Sequence, residues 1–130
     1  MSPLESDILT YLRERGWDKL RPSDLAKSIC IEAAELLEIF QWTSQSLEET
    51  RSDVRRMELL RKELADVLIY AFDLAVLLGL DTEQIMREKL EKIKQKYPAE
   101  LMRQSAQEGS GSGNDAAYLR IKQEYRRNGE

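Results

Sequence analysis

Apolar residues recur at intervals of three and four positions along most of this chain, which is the spacing of amphipathic α-helices. The first helix is predicted from Pro3 to about Arg15, because proline is favoured at a helix start and Gly16 favours termination. Its apolar face consists of Leu4, Ile8, Leu9 and Leu12. The strict alternation that is typical of β-strands does not occur.

Three further helices follow in the same pattern. They are predicted from Asp24 to about Trp42, from a capping box at Ser46 and Glu49 to about Leu78, and from Asp81 to Tyr97. Gly79 ends the third helix and Pro98 ends the fourth, since neither residue readily continues a helix. The sequence therefore predicts an all-α fold, an antiparallel bundle of about four core helices with an additional C-terminal tail helix.

The third predicted helix carries apolar residues on more than one face. It would reach about 40 Å in length, which is more than a small domain needs. Leu68, Ile69 and Leu77 lie off the face that is directed to the core. Because the chain has too few other helices to cover them, we expect a second copy of the chain to cover them in a homodimer.

The helical pattern weakens after Pro98. Residues 99–108 are compatible with one more short helix, and residues 109–113, Gly-Ser-Gly-Ser-Gly, have the composition of a flexible linker. Residues 114–127 place a few apolar side chains among many charges, which predicts a tail helix. The expected organisation is a helical domain over residues 1–108, followed by a linker and tail helix over residues 109–130.

Composition limits the classes of function. The chain of 130 residues has a net charge of −4, which argues against nucleic acid as its main partner. No apolar run approaches the ~20 residues that span a membrane, and the first residues lack the pattern of a signal peptide. Because Cys30 is its only cysteine, the chain forms no internal disulfide, and we expect a cytoplasmic protein.

Two apolar segments each contain a pair of carboxylates three positions apart. Glu32 and Glu35 lie in IEAAELLEIFQW, and Glu63 and Asp66 lie in RKELADVLIYAFDL. On helices that turn by about 100° per residue, Glu32 and Glu63 fall within the apolar stripes. Glu35 and Asp66 fall at the edges of those stripes. Because an unpaired buried carboxylate costs several kcal/mol, carboxylates at core positions require a partner.

Two such helices packed antiparallel would bring four carboxylates together. Four like charges stay ionised at short range only if a cation joins them. The chain has no histidine, so the ligands are oxygens, which favour Mg²⁺ and allow Mn²⁺ as a substitute. A metal-activated water is then the remaining nucleophile. The alternative is that the acids form ion pairs with Arg or Lys across the bundle.

Other charged and aromatic residues are candidates for binding a phosphorylated ligand. They are Lys89, Lys92 and Lys96 on one edge of the fourth helix, together with Trp42, Tyr70 and Tyr97. The lysines suit phosphates, although such an edge is also typical of a solvated basic face. The aromatic rings could stack on a base, although aromatic residues at helical spacing more often pack in a core.

The two carboxylate pairs occur in a specific order and context. The pair at Glu32 and Glu35 precedes the pair at Glu63 and Asp66, and the segments EAAELLEIFQW, ELADVLIY and KYP surround and follow them. In this order, over roughly residues 10–105, the sequence resembles the MazG-like all-α nucleotide pyrophosphohydrolases. Each short motif is a weak signal alone, but the ordered set in apolar surroundings is specific.

That resemblance implies an all-α dimer or tetramer that hydrolyses nucleoside triphosphates to monophosphate and pyrophosphate, in house-cleaning or control of nucleotide pools. It also implies that the four acids bind Mg²⁺, and that Glu32 or Glu35 orients or deprotonates the attacking water. Nucleotide contacts are implied for Trp42, Tyr70 and Tyr97.

One position departs from the family pattern. Ile93 stands where family members often carry asparagine, and it lies in the apolar stripe of the fourth helix, where we expect it to pack. A sugar or base contact is therefore expected to be absent. The alternative interpretations are a dUTPase-like or phosphoribosyl-ATP pyrophosphatase-like hydrolase of the same fold, and a non-catalytic helical interaction module.

Overall fold

A computed structural model of the chain describes residues 1–108 and 116–129. Its helices are α1 (Pro3–Glu14), α2 (Pro22–Glu38), α3 (Leu47–Ser52), α4 (Val54–Leu77), α5 (Thr82–Lys96), α6 (Ala99–Glu108) and α7 (Ala116–Arg127). No β-strand occurs in these two ranges, so the all-α prediction is confirmed. None of the described helices is both long enough and apolar enough to cross a membrane.

Local side-chain and backbone chemistry sets the ends of α1 and α4. Ser2 Oγ accepts a hydrogen bond from the Glu5 backbone N–H (3.2 Å), and Glu5 Oε1 accepts one from the Ser2 N–H (3.0 Å). These two bonds form a capping box at the start of α1. Gly16 and Gly79 follow the two helices with φ angles of 70° and 69°, a left-handed conformation that a Cβ atom disfavours. Both helices therefore end at the glycines predicted to end them.

The predicted single helix from Ser46 to Leu78 is wrong, because the chain divides it at Asp53 into α3 and α4. Asp53 has an extended backbone (φ −87°, ψ 94°), and its Oδ1 accepts a hydrogen bond from the Arg56 backbone N–H (3.1 Å). The Asp53 carboxylate thus caps a new helix and compensates for the helical hydrogen bonds that the break removes.

The chain divides into two compact units, Met1–Thr82 and Glu83–Glu130. In the first unit, α1 and α2 both pack against α4. Its buried apolar residues are Ile8, Leu12, Leu25, Ala75 and Val76. The predicted boundary after residue 108 lies within the second unit and stays a prediction, and the predicted linker at residues 109–113 lies outside the described residues.

Both α1 and α2 run antiparallel to α4. Near the start of α1, Glu5 Oε2 accepts a hydrogen bond from the Thr82 N–H, which follows α4 (3.4 Å). Leu12, two turns further along α1, packs with Val76 in the last turns of α4. At the other end of the unit, Arg56 Nη1 in the first turn of α4 donates a hydrogen bond to Thr43 Oγ1, which follows α2 (2.9 Å).

Large apolar side chains remain exposed on α4. Leu64, Leu68 and Ile69 are 42%, 50% and 44% exposed, and we call these three residues the outer surface of α4. Leu77 was expected to share that surface. It is instead half-buried and packs against the core formed by Ile8, Leu12 and Val76. The exposed apolar surface is therefore centred nearer to the middle of α4 than the sequence predicted.

The second unit contains most of α5 together with α6 and α7, of which α6 and α7 pack against each other. The predicted tail helix is present as α7, with Ala117 and Ile121 buried. On α5 the predicted apolar stripe is exposed in the single chain, at Ile85, Met86, Leu90 and Ile93. The packing expected of Ile93 is thus not found among the described residues.

Asp73 is a carboxylate without a partner in the interior of the first unit. The residue is 4% exposed, and its Oδ1 is buried without a hydrogen-bond partner. Burial therefore raises the pKa of the Asp73 carboxyl above its ordinary value. An acid that loses its hydration and gains no partner destabilises the fold.

We predict that Asp73→Ala stabilises the protein by ~1–3 kcal/mol, because it removes that desolvation cost and introduces a stronger helix former. Chemical denaturation at neutral pH, followed by circular dichroism, measures the change. Asp7→Ala makes the same replacement at an exposed position of α1 and should change stability by less than about 0.5 kcal/mol. A less stable Asp73 variant would show that this carboxylate has a stabilising partner.

Candidate active site

The antiparallel packing of α2 and α4 brings the four predicted acids together. One oxygen from each of Glu32, Glu63 and Asp66 lies within 4.8 Å of the other two. Glu35 lies outside that set of three, although its carboxyl contacts those of both Glu32 and Glu63. Both sequence pairs thus converge on one place in the first unit, which we call the acidic cluster.

The burial of these acids follows the predicted helical wheel. Glu32 and Glu63 are half-buried, whereas Glu35 and Asp66 are exposed. The Oε2 atoms of Glu32 and Glu63 are buried and have no hydrogen-bond partner. Desolvation is the main reason why the pKa of both groups lies above the ordinary value. The contact with Glu35 and the charges of the neighbouring acids raise it further. When ionised, the acidic cluster therefore carries uncompensated negative charge.

A hard divalent cation fits this set of donors. The ligand atoms are carboxylate oxygens, two acids present a buried oxygen without a partner, and separations within 4.8 Å allow one ion to be shared. Mg²⁺ and Mn²⁺ both prefer such ligands. Among the described residues, no ion pair within the chain involves any of these acids, so an internal Arg or Lys does not neutralise them.

Two predicted substrate contacts also lie in the first unit. Tyr70 is half-buried, and this burial is the main cause of its raised pKa. The negative charges of Glu32 and Asp73 raise the pKa further. Trp42 is 86% exposed, in the turn that follows α2. Because α2 ends at Glu38 rather than near Trp42, this indole does not pack in a core and is accessible to a planar ligand.

Side-chain contacts hold the segment that carries Trp42. The Arg56 guanidinium lies over the Phe40 ring at 5.7 Å and donates a hydrogen bond to Thr43 Oγ1 at 2.9 Å. Gln45 Nε2 donates a hydrogen bond to Asp53 Oδ2 (3.4 Å). The segment from Phe40 to Asp53 is therefore tied to the first turn of α4, on the helix that carries two of the four acids.

The remaining predicted residues lie in the second unit. Lys89 and Lys92 are exposed along α5, which is compatible both with phosphate binding and with a solvated basic face. Lys96 and Tyr97 are half-buried. The Lys96 Nζ atom lies 5.3 Å from the centre of the Tyr97 ring and 4.7 Å from the centre of the Tyr125 ring.

Sequence reasoning missed two further acids near the site. The charge of Glu38, at the end of α2, contributes to the raised pKa of Glu63. Glu38 continues the three-residue spacing of Glu32 and Glu35, and this signal could have identified it. Asp73 follows Asp66 by about two helical turns, but no pattern in the sequence distinguishes it from an exposed aspartate.

The raised pKa values predict how the stability of the metal-free protein depends on pH. Glu32, Glu63 and Asp73 hold protons in the folded state at pH values at which the unfolded chain has released them. The free energy of unfolding should therefore fall as the pH rises from about 5 to about 7.5. Glu5 and Asp53 have lowered pKa values, so their stabilising contribution is lost only at more acidic pH.

Thermal unfolding in EDTA at those two pH values measures this effect. Adding Mg²⁺ should reduce the difference in melting temperature between the two pH values. A bound cation neutralises the carboxylates at the higher pH, as protons do at the lower pH. A melting temperature that rises with pH in EDTA would contradict the predicted direction.

The fold and the acidic cluster define an all-α protein in which two antiparallel helices present paired carboxylates suited to a divalent cation. The sequence model of the MazG-like family matches residues 27–110, which is more than half of the chain. The chain therefore belongs to the MazG-like family, as the resemblance in its sequence indicated.

Named relatives are similar over much of the chain. Mouse (Mus musculus) dCTP pyrophosphatase 1 is 34% identical over 98 residues, which cover 74% of this chain and 58% of the mouse protein. The rat (Rattus norvegicus) protein of the same name is 31% identical over 124 residues, covering 84% of this chain and 73% of that protein. This chain thus spans less than two thirds of the mouse relative.

Among solved structures, a pyrophosphatase from Archaeoglobus fulgidus DSM 4304 is similar in both fold and sequence. Its TM-score is 0.64 and its sequence identity 43%, over 73% of this chain and 89% of that chain. The helical fold of that part of the chain is thus shared with a protein of known structure.

Proposed function

We propose that this protein is a metal-dependent pyrophosphohydrolase that cleaves nucleoside triphosphates into monophosphate and pyrophosphate. The observation that carries the proposal is the convergence of Glu32, Glu35, Glu63 and Asp66, in which the buried Oε2 atoms of Glu32 and Glu63 lack a hydrogen-bond partner among the described residues. Membership of the MazG-like family and the pyrophosphatase names of its relatives support the proposal. Such an activity suits the removal of unwanted nucleotides or the control of nucleotide pools.

In this proposal, the acidic cluster holds Mg²⁺, with Mn²⁺ as a substitute. When bound, the ion neutralises triphosphate charge and lowers the pKa of a coordinated water. Glu35 accepts the proton of the water that attacks the α-phosphorus, and is better placed for this than Glu32 because it is exposed rather than half-buried. The bond between the α-phosphorus and the bridging oxygen breaks, and pyrophosphate leaves.

The other candidate residues bind the nucleotide in this proposal. Lys89, Lys92 and Lys96 are assigned to the phosphates, and Trp42, Tyr70 and Tyr97 to the nucleoside. Because relatives are named dCTP pyrophosphatase, dCTP is the first substrate to test. Ile93 offers no polar group where family members often carry asparagine, so we expect the base or sugar preference to differ from theirs.

A panel of nucleotides with Mg²⁺ tests the proposed reaction. We expect pyrophosphate rather than phosphate to be released from dCTP or a related triphosphate, and we expect EDTA to abolish the release. Turnover restricted to dUTP or to phosphoribosyl-ATP would identify one of the alternative hydrolase classes. No turnover with any member of the panel would favour a helical interaction module.

A thermal-shift experiment tests the metal site independently of turnover. A cation that binds only the folded protein should raise the melting temperature as its concentration increases. Millimolar Mg²⁺ should therefore stabilise the protein more than a monovalent salt of matched ionic strength. Equal shifts from both salts would favour ion pairs of the acids with another subunit.

A further inference from the structure

Two tyrosines of α7 contact the lysine and tyrosine of the KYP motif. The Tyr118 ring is stacked on the Tyr97 ring, with centroids 5.0 Å apart and planes inclined by 26°. The Tyr125 ring lies beneath the Lys96 ammonium group, whose Nζ is 4.7 Å from the ring centre. Each of these four residues is half-buried. The tail helix therefore contacts the same two residues that the proposed function assigns to the nucleotide.

The arrangement of α7 explains how both contacts form at once. Tyr118 and Tyr125 are about two helical turns apart, so they project from the same side of the helix. Ala117 and Ile121, on or next to that side, are 7% and 8% exposed, which shows that this side packs within the second unit. The match to the family model ends at residue 110, so α7 lies outside the matched residues.

The contacts restrict two side chains that would otherwise be mobile. A lysine loses rotamer freedom when it binds a phosphate, and a tyrosine loses freedom when it stacks on a base. The rings of Tyr97 and Tyr125 restrict the Lys96 ammonium beforehand, and no carboxylate of the described residues forms an ion pair with it. Lys96 and Tyr97 are only half-buried, so part of each side chain remains accessible to a ligand.

We infer that Tyr118 and Tyr125 are positioning residues, which hold Tyr97 and Lys96 in the orientation that binds the nucleoside triphosphate. The inference rests on the proposed function, because it takes Lys96 and Tyr97 as nucleotide contacts. The tyrosines of α7 act through these two residues and not on the reacting phosphate. They should therefore affect substrate affinity and leave the rate of the chemical step unchanged.

Steady-state kinetics of full-length variants with Mg²⁺ tests the inference. Tyr118→Ala and Tyr125→Ala should each raise KM roughly three- to tenfold, with kcat within about twofold of the parent value. Tyr118→Phe and Tyr125→Phe keep the rings and should retain the parent KM. Gln123→Ala, at an exposed position of the same helix, is the matched control and should change neither constant.

A spectroscopic measurement follows the contact without reference to turnover. Ring currents from Tyr97 and Tyr125 should move the ¹H–¹³C resonance of the Lys96 ε-methylene group away from that of an exposed lysine. Tyr125→Ala should return it toward the exposed value, and Tyr125→Phe should not. Circular dichroism of each variant establishes that the helices remain folded.

The outcomes separate this inference from the proposed function. If the parent protein is active but KM is unchanged in both alanine variants, the inference alone is overturned. A lower KM in those variants would also overturn it, because the tail helix would then compete with the nucleotide. A loss of kcat that phenylalanine does not restore would assign the tyrosines a structural role only. If the parent protein releases no pyrophosphate, the proposed function fails, and the inference fails with it.

Discussion

Glu63→Gln should abolish pyrophosphate release while leaving the helical fold intact. The variant side chain has nearly the same size but lacks the charge that a hard cation requires. Glu63 lies in reach of Glu32, Glu35 and Asp66 at the centre of the acidic cluster, so no neighbouring acid can replace it without moving. We expect kcat/KM to fall on the order of 100-fold or more.

The same variant should be more stable than the parent protein in EDTA. Removing one half-buried negative charge relieves repulsion within the acidic cluster, and that repulsion adds to desolvation in raising the pKa of Glu32. Glu58→Gln makes the same change at an exposed position of α4 and should leave both activity and stability unchanged. Near-normal turnover of the Glu63 variant would assign cation binding to other residues.

Leu68→Asp should dissociate the expected oligomer into monomers and remove activity with it. Leu68 is 50% exposed at the centre of the outer surface of α4, and Leu64 and Ile69 beside it are also uncovered. A carboxylate placed in an apolar interface loses hydration without gaining a partner. Activity should be lost too, because the interface would hold the helix that carries Glu63 and Asp66. Light scattering at micromolar concentration, together with the pyrophosphate assay, measures both effects.

The choice of position matters for this experiment. Leu77→Asp would also damage the core, because Leu77 packs against Ile8, Leu12 and Val76. Leu47→Asp is the suitable control, since Leu47 is 83% exposed and lies on α3 rather than on α4. A parent protein that is monomeric and fully active would contradict the expected assembly.

Much of the candidate site could be predicted from the sequence because helical periodicity alone determines which side chains share a face. The wheel placed Glu32 and Glu63 among apolar residues and Glu35 and Asp66 at the edges, and the observed burial agrees with this. Gly16 and Gly79 were equally predictable, since a left-handed residue after a helix favours glycine whatever the tertiary structure.

Features that helical spacing does not determine were not predicted. Helical spacing continues through Asp53, and the break there forms because its carboxylate caps α4 and accepts a hydrogen bond from Gln45. Asp73 has the sequence appearance of a surface residue, and only the packing of α4 buries it. The stacking of Tyr118 on Tyr97 joins α7 to the residue that directly follows α5, and helical spacing alone does not predict such a contact.

The division of the chain at Thr82 has an evolutionary consequence. All four acids lie between Pro22 and Leu77 in the first unit, whereas the lysines and Tyr97 assigned to the nucleotide lie in the second. Under the proposed function, which also assigns Trp42 and Tyr70 of the first unit to the nucleoside, substitutions after Thr82 would alter only part of nucleotide binding without touching a cation ligand. Homologues could therefore diverge in nucleotide affinity through changes after Thr82 while keeping one unchanged reaction.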